Sequence, residues 1–273
     1  MQPLILDSVT HLSDDARGHV AACASHGAVY AAWYAASKGV SAIILNDAGV
    51  GRERAGLSGL GWLEPLGVPA ATVSHRSARI GWGADMPARG LLSFVNGPAA
   101  RLGLAPGMAC AEALTILAAA GLPPAPRPEP LEEARREIVE AGANGIRVFV
   151  LDSTGLVGPA DAGHVVVTGS HGGLLAGKPA TAVKADVLAA VYVDADRGLE
   201  DAGISRLPAL EARGIAGATV SAFSARIGEG LSVWHDGFIS AINPTAERRG
   251  GGIGQSTRDF VAAMVASGRR ASA

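Results

Sequence analysis

The chain has 273 residues, 48% of them apolar, with 37 glycines and only 4% aromatics, which excludes a disordered polymer and suits a glycine-turned α/β protein. Its formal net charge is -2, and no long basic run occurs; Arg248-Arg249 and Arg269-Arg270 near the C-terminus are only doublets. Binding driven by neutralising nucleic-acid phosphates is therefore not expected.

In chain order, Pro3 to Leu6 and Val20 to Ala24 read as buried strands, and Ala28 to Lys38 as a helix capped by Gly39. Ala42 to Leu45 is an apolar strand, Leu57 to Leu66 a helix closed by Gly67, and Ala70 to Val73 another strand. Residues 83–102 read as one or two helices. Leu122 to Pro130 holds five prolines and predicts an extended, semi-rigid linker, followed by a charged helix over Leu131 to Ala141. Strands follow at Val148 to Leu151, Val165 to Thr168 and Ala189 to Val193. Next come a helix at Ile204 to Arg213 closed by Gly214, a strand at Ala216 to Val220, and one or two helices over 230–248.

The second series repeats the first. Leu6-Asp7-Ser8, Gly18-His19-Val20 and Ser25-His26-Gly27 recur at one constant offset as Leu151-Asp152-Ser153, Gly163-His164-Val165 and Ser170-His171-Gly172. After a two-residue insertion, Asp47 and Gly51 match Asp194 and Gly198, and Ser77-Ala78-Arg79-Ile80-Gly81 matches Ser224-Ala225-Arg226-Ile227-Gly228. Gly90, Ser93 and Asn96 match Gly237, Ser240 and Asn243. The chain is a tandem duplication. The expected fold is α/β, two pseudo-symmetric repeats at 1–121 and 146–273, each a mainly parallel sheet flanked by helices. Residues 122–145 join them.

Ligands in such sheets sit beyond the carboxyl ends of the strands, where the repeated polar motifs fall. Ser170-His171-Gly172-Gly173 and Ser25-His26-Gly27 read as strand-to-helix corners. There His171 and His26 would move protons, Ser170 and Ser25 are conceivable nucleophiles, and Gly172, Gly173 and Gly27 would expose amides to an oxyanion. The plainer reading is a tight turn. Asp194 and Asp47 end the next strands and would either orient the histidines or cap a helix. Arg226 and Arg79 would hold a substrate carboxylate or form internal salt bridges. Asn243 and Asn96 offer an amide contact or a helix-end bond. Lys178 is a substrate clamp or an exposed loop lysine. His19 and His164 start strands and so read as structural, while His75 and His235 have no twin. Cys23 and Cys110 form no disulfide framework, and Cys23 reads as a small buried residue.

A clean dinucleotide fingerprint, a Walker A loop, a nucleophile elbow and recognisable metal-ligand spacings are all missing, so no organic cofactor is expected and a divalent metal is left open. The N-terminus does not read as a signal peptide and no apolar run reaches ~18 residues, so the expected compartment is the cytoplasm.

The succession Ser-His-Gly-Gly, Asn-Asp-Ala-Gly, Ala-Thr-Val-Ser and Ser-Ala-Arg-Ile-Gly resembles a family of uncharacterised bacterial cytoplasmic proteins made of two such repeats. The resemblance implies the fold and no activity. Aspartate/glutamate racemases are similar in placing a site between two such halves, but they use a cysteine from each, and this chain has no matching pair. Caspase-like folds set Ser-His-Gly after one strand and a cysteine after the next, where this chain has Asp47 or its neighbours.

The expected function is a small-molecule enzyme with its site between the repeats, hydrolysing a small amide, cyclic imide or lactone. The alternatives are a lyase or isomerase acting on a small carboxylate, a non-catalytic small-anion binder, and an assembly protein. The expected partner is an anionic or amide-containing small molecule, with a homodimer as the commonest assembly and neither nucleic acid nor membrane involved.

Overall fold

A computed structural model describes residues 2–139 and 145–268. In the first repeat β1 (Leu4–Leu6), β2 (Val20–His26), β3 (Ala42–Asn46) and β4 (Ala70–Val73) lie side by side in chain order, all parallel. Between them run α1 (Val29–Ser37) and α2 (Ser58–Leu63). The next elements are α3 (Asp85–Arg89), β5 (Leu92–Val95), α4 (Gly97–Arg101) and α5 (Cys110–Ala119), with β5 antiparallel to β4.

The linker leads into β6 (Arg135–Val139), antiparallel to β7 (Val148–Leu151). Parallel strands β8 (Val165–His171), β9 (Ala189–Val193) and β10 (Ala216–Val220) complete the second sheet with antiparallel β11 (Ile239–Ile242). Its helices are α6 (Arg206–Glu211), α7 (Gly230–Asp236), α8 (Pro244–Arg248) and α9 (Thr257–Ser267).

Alternation along each strand explains the layers. Ala21, Cys23, Ile43 and Leu45 face the alanine stripe of α1 and Leu60 and Leu63 of α2. Ala22, Ala24, Ile44 and Val73 face Met86, Cys110, Ala113, Leu114 and Leu117 on the other side. In the second repeat, the core around Val167, Val193, Phe260 and Met264 also takes in Ala48, Ala55 and Ile80 of the first. Three residues of the first repeat thus pack into a core of the second.

Three expectations need correction. Residues 135–139 are a strand, not part of a helix; residues 140 and 141 of that expected helix lie outside the described residues. The segment satisfies the open backbone edge of β7, which outweighs its helical composition. The 83–102 and 230–248 segments each hold a helix, an antiparallel strand and a second helix. Gly90 and Gly237 break them, since a Cβ at either would meet a carbonyl oxygen at 2.5 or 2.4 Å. Finally, β8 runs through His171, and only 3-10 turns follow at Leu175–Gly177 and Pro179–Thr181 where the first repeat has α1. The left-handed Ala176 and Gly177 and the adjacent Pro179 stop a helix there.

The loops after β3 and β9 carry nine non-glycine residues in the left-handed region, Val50 among them. A β-branched residue there is strained and must be held by its surroundings. These loops meet at the joint between repeats: the Arg52 amide donates to the Ala222 carbonyl and the Leu199 amide to the His75 carbonyl, both at 2.8 Å. Among the described residues, no helix is long and apolar enough to cross a membrane.

Candidate functional site

The carboxyl ends of β1 and β2 face those of β7 and β8 across a cavity of about 350 Å³. Its walls include Ser25 and His26 from one repeat and Ser170 and His171 from the other. The two imidazoles meet edge to face with ring centroids 6.4 Å apart.

Their hydrogen bonds define their chemistry. The Ala28 amide donates to His26 Nδ1 at 3.4 Å, and the Gly173 amide to His171 Nδ1 at 3.1 Å. An Nδ1 that accepts leaves the proton of a neutral ring on Nε2. Burial lowers the pKa of His26 to about 4. Burial, with the Arg206 charge and the other histidine, holds His171 well below the ordinary imidazole value. At neutral pH both rings are neutral Nε2–H donors rather than proton acceptors.

Ser25 and Ser170 line the cavity, but each Oγ accepts a backbone amide, from Val9 and Thr154 respectively, at 2.9 Å. Among the described residues neither hydroxyl is hydrogen-bonded to a histidine, so neither is set up as a nucleophile. The glycine amides are also taken. Gly27 donates to the Asn46 carbonyl, Gly172 to Val193 and Gly173 to His171, which leaves none of the three for an oxyanion. A Cβ on Gly27 or Gly172 would stand 2.5 or 2.4 Å from the Gly56 or Gly203 carbonyl oxygen, so close loop packing demands these glycines.

The expected aspartates and arginines lie elsewhere. Asp47 Oδ1 accepts the His75 amide at 2.9 Å and His75 Nδ1 at 2.8 Å, and His75 Nε2 reaches Asp196 Oδ2 at 3.0 Å. Asp47 therefore orients His75, not His26. Asp194 accepts the amides of Ala222 and Asp196, both at 2.9 Å, and is bonded to no histidine among the described residues.

Arg79 donates to Asp85 and, across the joint, to Glu200, while its guanidinium stacks 3.6 Å from the Trp82 ring centre. Arg226 pairs with Glu229 and, across the joint, with Glu53. Both arginines clamp the repeats together. Replacing Arg79 with Met should cost about 1–2 kcal/mol in urea unfolding and leave ligand-induced stabilisation intact; loss of the ligand response alone would return Arg79 to the site.

Asn96 and Asn243 are buried caps of α4 and α8; each also accepts an amide at the start of the neighbouring strand and donates to two carbonyls. Lys178 is exposed and does not line the cavity. Cys23 is fully buried, and burial raises its thiol pKa.

The wall residues that the sequence did not single out include Arg206, Lys184, Glu133 and Tyr30. Lys184 Nζ donates to the Gly155 carbonyl at 2.7 Å. Arg206 is 2% exposed and donates to the carbonyls of Thr181 and Ala182, with its guanidinium 5.0 Å from the Tyr192 ring centre. Its Nε has no partner, and no carboxylate acts on it among the described residues. The signal was present in the duplication: Ser205-Arg206-Leu207 stands where the first repeat has Ser58-Gly59-Leu60. In the first repeat α1 fills that space, and a Cβ on Gly59 would lie 2.7 Å from the Ala32 Cβ. Loss of α1 in the second repeat makes room for the arginine.

Among the described residues no three His, Cys, Asp or Glu side chains cluster as metal ligands. No family model, curated protein or solved structure matches the chain. The motif resemblance therefore brings no family with it, and the function rests on the cavity itself.

Proposed function

We propose that this protein binds a small carboxylate in the cavity between its repeats and acts on it as a lyase or isomerase. The observation that carries this reading is Arg206. A guanidinium taken out of water without an anion is costly, and a ligand carboxylate would supply the missing partner through a charge-assisted pair. His26 and His171 add two neutral donors for a second oxygen. This support favours a carboxylate-directed reaction over the hydrolysis expected from sequence, because the serines have no base and the glycine amides are occupied.

The test is a thermal and calorimetric titration with short mono- and dicarboxylates at neutral pH. At ~100 times its Kd a bound carboxylate should stabilise the wild-type protein by ~2.7 kcal/mol. Arg206→Met should lose that response, and Arg206→Lys should keep part of it. A wild-type protein indifferent to every carboxylate would remove the reading.

A further inference from the structure

We propose that Glu133 is the catalytic base of this cavity, and that its substrate is a short 2-oxo acid which it enolises. The inference rests on the carboxylate-binding reading above and extends it to a reaction.

Among the described residues, two carboxylates line the cavity, Glu133 and Asp152. Asp152 is committed to structure: one oxygen accepts the Ala134 amide at 2.8 Å and the other the Gly230 amide at 2.9 Å. Glu133 is half-buried and belongs to neither repeat. Its segment is pinned on both sides, by Trp33 Nε1 on the Glu129 carbonyl at 2.8 Å and by Asp152 on the Ala134 amide. The proline-rich linker thus delivers to the cavity wall a carboxylate that the duplication does not provide. Burial raises the Glu133 pKa, and the nearby Asp152 charge adds to the shift; the Ser153 and Tyr30 hydroxyls and the Lys184 charge moderate it. A carboxylate made more basic in this way is better matched to proton abstraction near neutrality.

The remaining wall groups define the substrate. Arg206 holds the carboxylate. His26 and His171, as neutral Nε2–H donors, hold the C2 carbonyl oxygen, where negative charge develops. Glu133 takes a proton from C3. The electrons of that C–H bond form the C2–C3 double bond, and the carbonyl π pair moves to oxygen as the enolate. Return of the proton to C3 closes the cycle, and no electrons are gained or lost. Neutral imidazoles suit this step because they stabilise the oxyanion without a prior charge that would attract Glu133 itself.

The experiment places 2-oxobutanoate with the full-length protein in D₂O buffer. Proton NMR follows loss of the C3–H signal, and calorimetry on the same samples measures binding. We expect wild type to exchange C3–H at least ~100-fold faster than buffer, and Glu133→Gln to bind 2-oxobutanoate yet lose about 100-fold in exchange. Glu133→Asp serves as a second variant if circular dichroism shows Glu133→Gln misfolded, and it should retain part of the rate. The wild-type rate should climb with pH as Glu133 ionises and then level off. Bound 2-oxobutanoate with exchange no faster than buffer, or Glu133→Gln exchanging like wild type, would overturn the base and leave the carboxylate reading standing. Binding of other carboxylates but not of 2-oxobutanoate would overturn the substrate class, and binding of none would remove both proposals.

Discussion

Gly203→Ala should cost more than about 4 kcal/mol and leave little folded protein, because its added Cβ has nowhere to go. A Cβ at Gly203 would stand 1.9 Å from the Asp194 carbonyl oxygen and 3.0 Å from that of Arg197. Both obstacles are backbone, so no rotamer change relieves them. That backbone is the left-handed loop after β9, and the Asp194 carbonyl already accepts the Arg197 amide at 2.8 Å within it. Moving the loop would also disturb the joint, where the Leu199 amide bonds the first repeat. Gly56 is the twin, with 2.1 Å to the Asp47 carbonyl oxygen, and Gly56→Ala should behave alike. The control is Gly61→Ala in α2: the position is exposed, nothing lies within 4 Å of its Cβ, and the helix should gain ~0.5–1 kcal/mol. Urea unfolding of the three variants checks this. A mild Gly203→Ala would mean that the loop yields, and that it is not what fixes the repeats against each other.

The second large effect concerns His75, which lies between two carboxylates at the joint. Burial opposes its charged form, but hydrogen bonds and charge from Asp47 and Asp196 outweigh burial and raise its pKa above the ordinary 6.5. Burial likewise works against the Asp47 carboxylate, but its bonds to the His75 ring and amide hold it below 3.8. The second repeat supplies the comparison. Ala222 stands at the matching position, and burial leaves Asp194 with a raised pKa despite its amide bonds. His75→Ala should therefore move Asp47 toward the behaviour of Asp194. Breaking a buried pair costs roughly 3–5 kcal/mol, and the retained His75-position amide bond puts the expected loss near ~3 kcal/mol.

The sign of the pH dependence follows. Stability due to the raised His75 pKa is present below 6.5 and is lost as pH climbs through its folded value. The contribution of Asp47 is present above 3.8 and is lost as pH falls through its own folded value. The stability difference between wild type and His75→Ala should be greatest near about pH 5 and shrink on both sides. A difference that does not vary with pH would show that the imidazole acts there by packing alone.

Much of the architecture was legible in the residues. The duplication shows directly, because one design used twice leaves ordered matches. Parallel strands such as Val148–Leu151 and Ala189–Val193 are short apolar runs bounded by turns, and they match their expected limits. The antiparallel β5 and β11 did not show, because four-residue strands between short helices carry too little periodicity to separate from helix. Strand β6 was hidden by a charged composition that reads as helix, since its pairing depends on an edge that exists only once β7 is in place.

The site divides in the same way. Sequence alone determined that His26, His171, Ser25 and Ser170 sit at equivalent strand ends; how the two repeats pack was not legible in it. Only the tertiary structure decided what they do there. It gave the Nδ1 atoms to backbone amides, tied Asp47 to a histidine from a distant turn, and turned Arg79 and Arg226 into clamps. It also left Arg206 buried in the room vacated by α1, with no carboxylate partner among the described residues. Hydrogen-bond partners and desolvation are set by which distant segments meet, and repeat spacing along the chain carries no information about either.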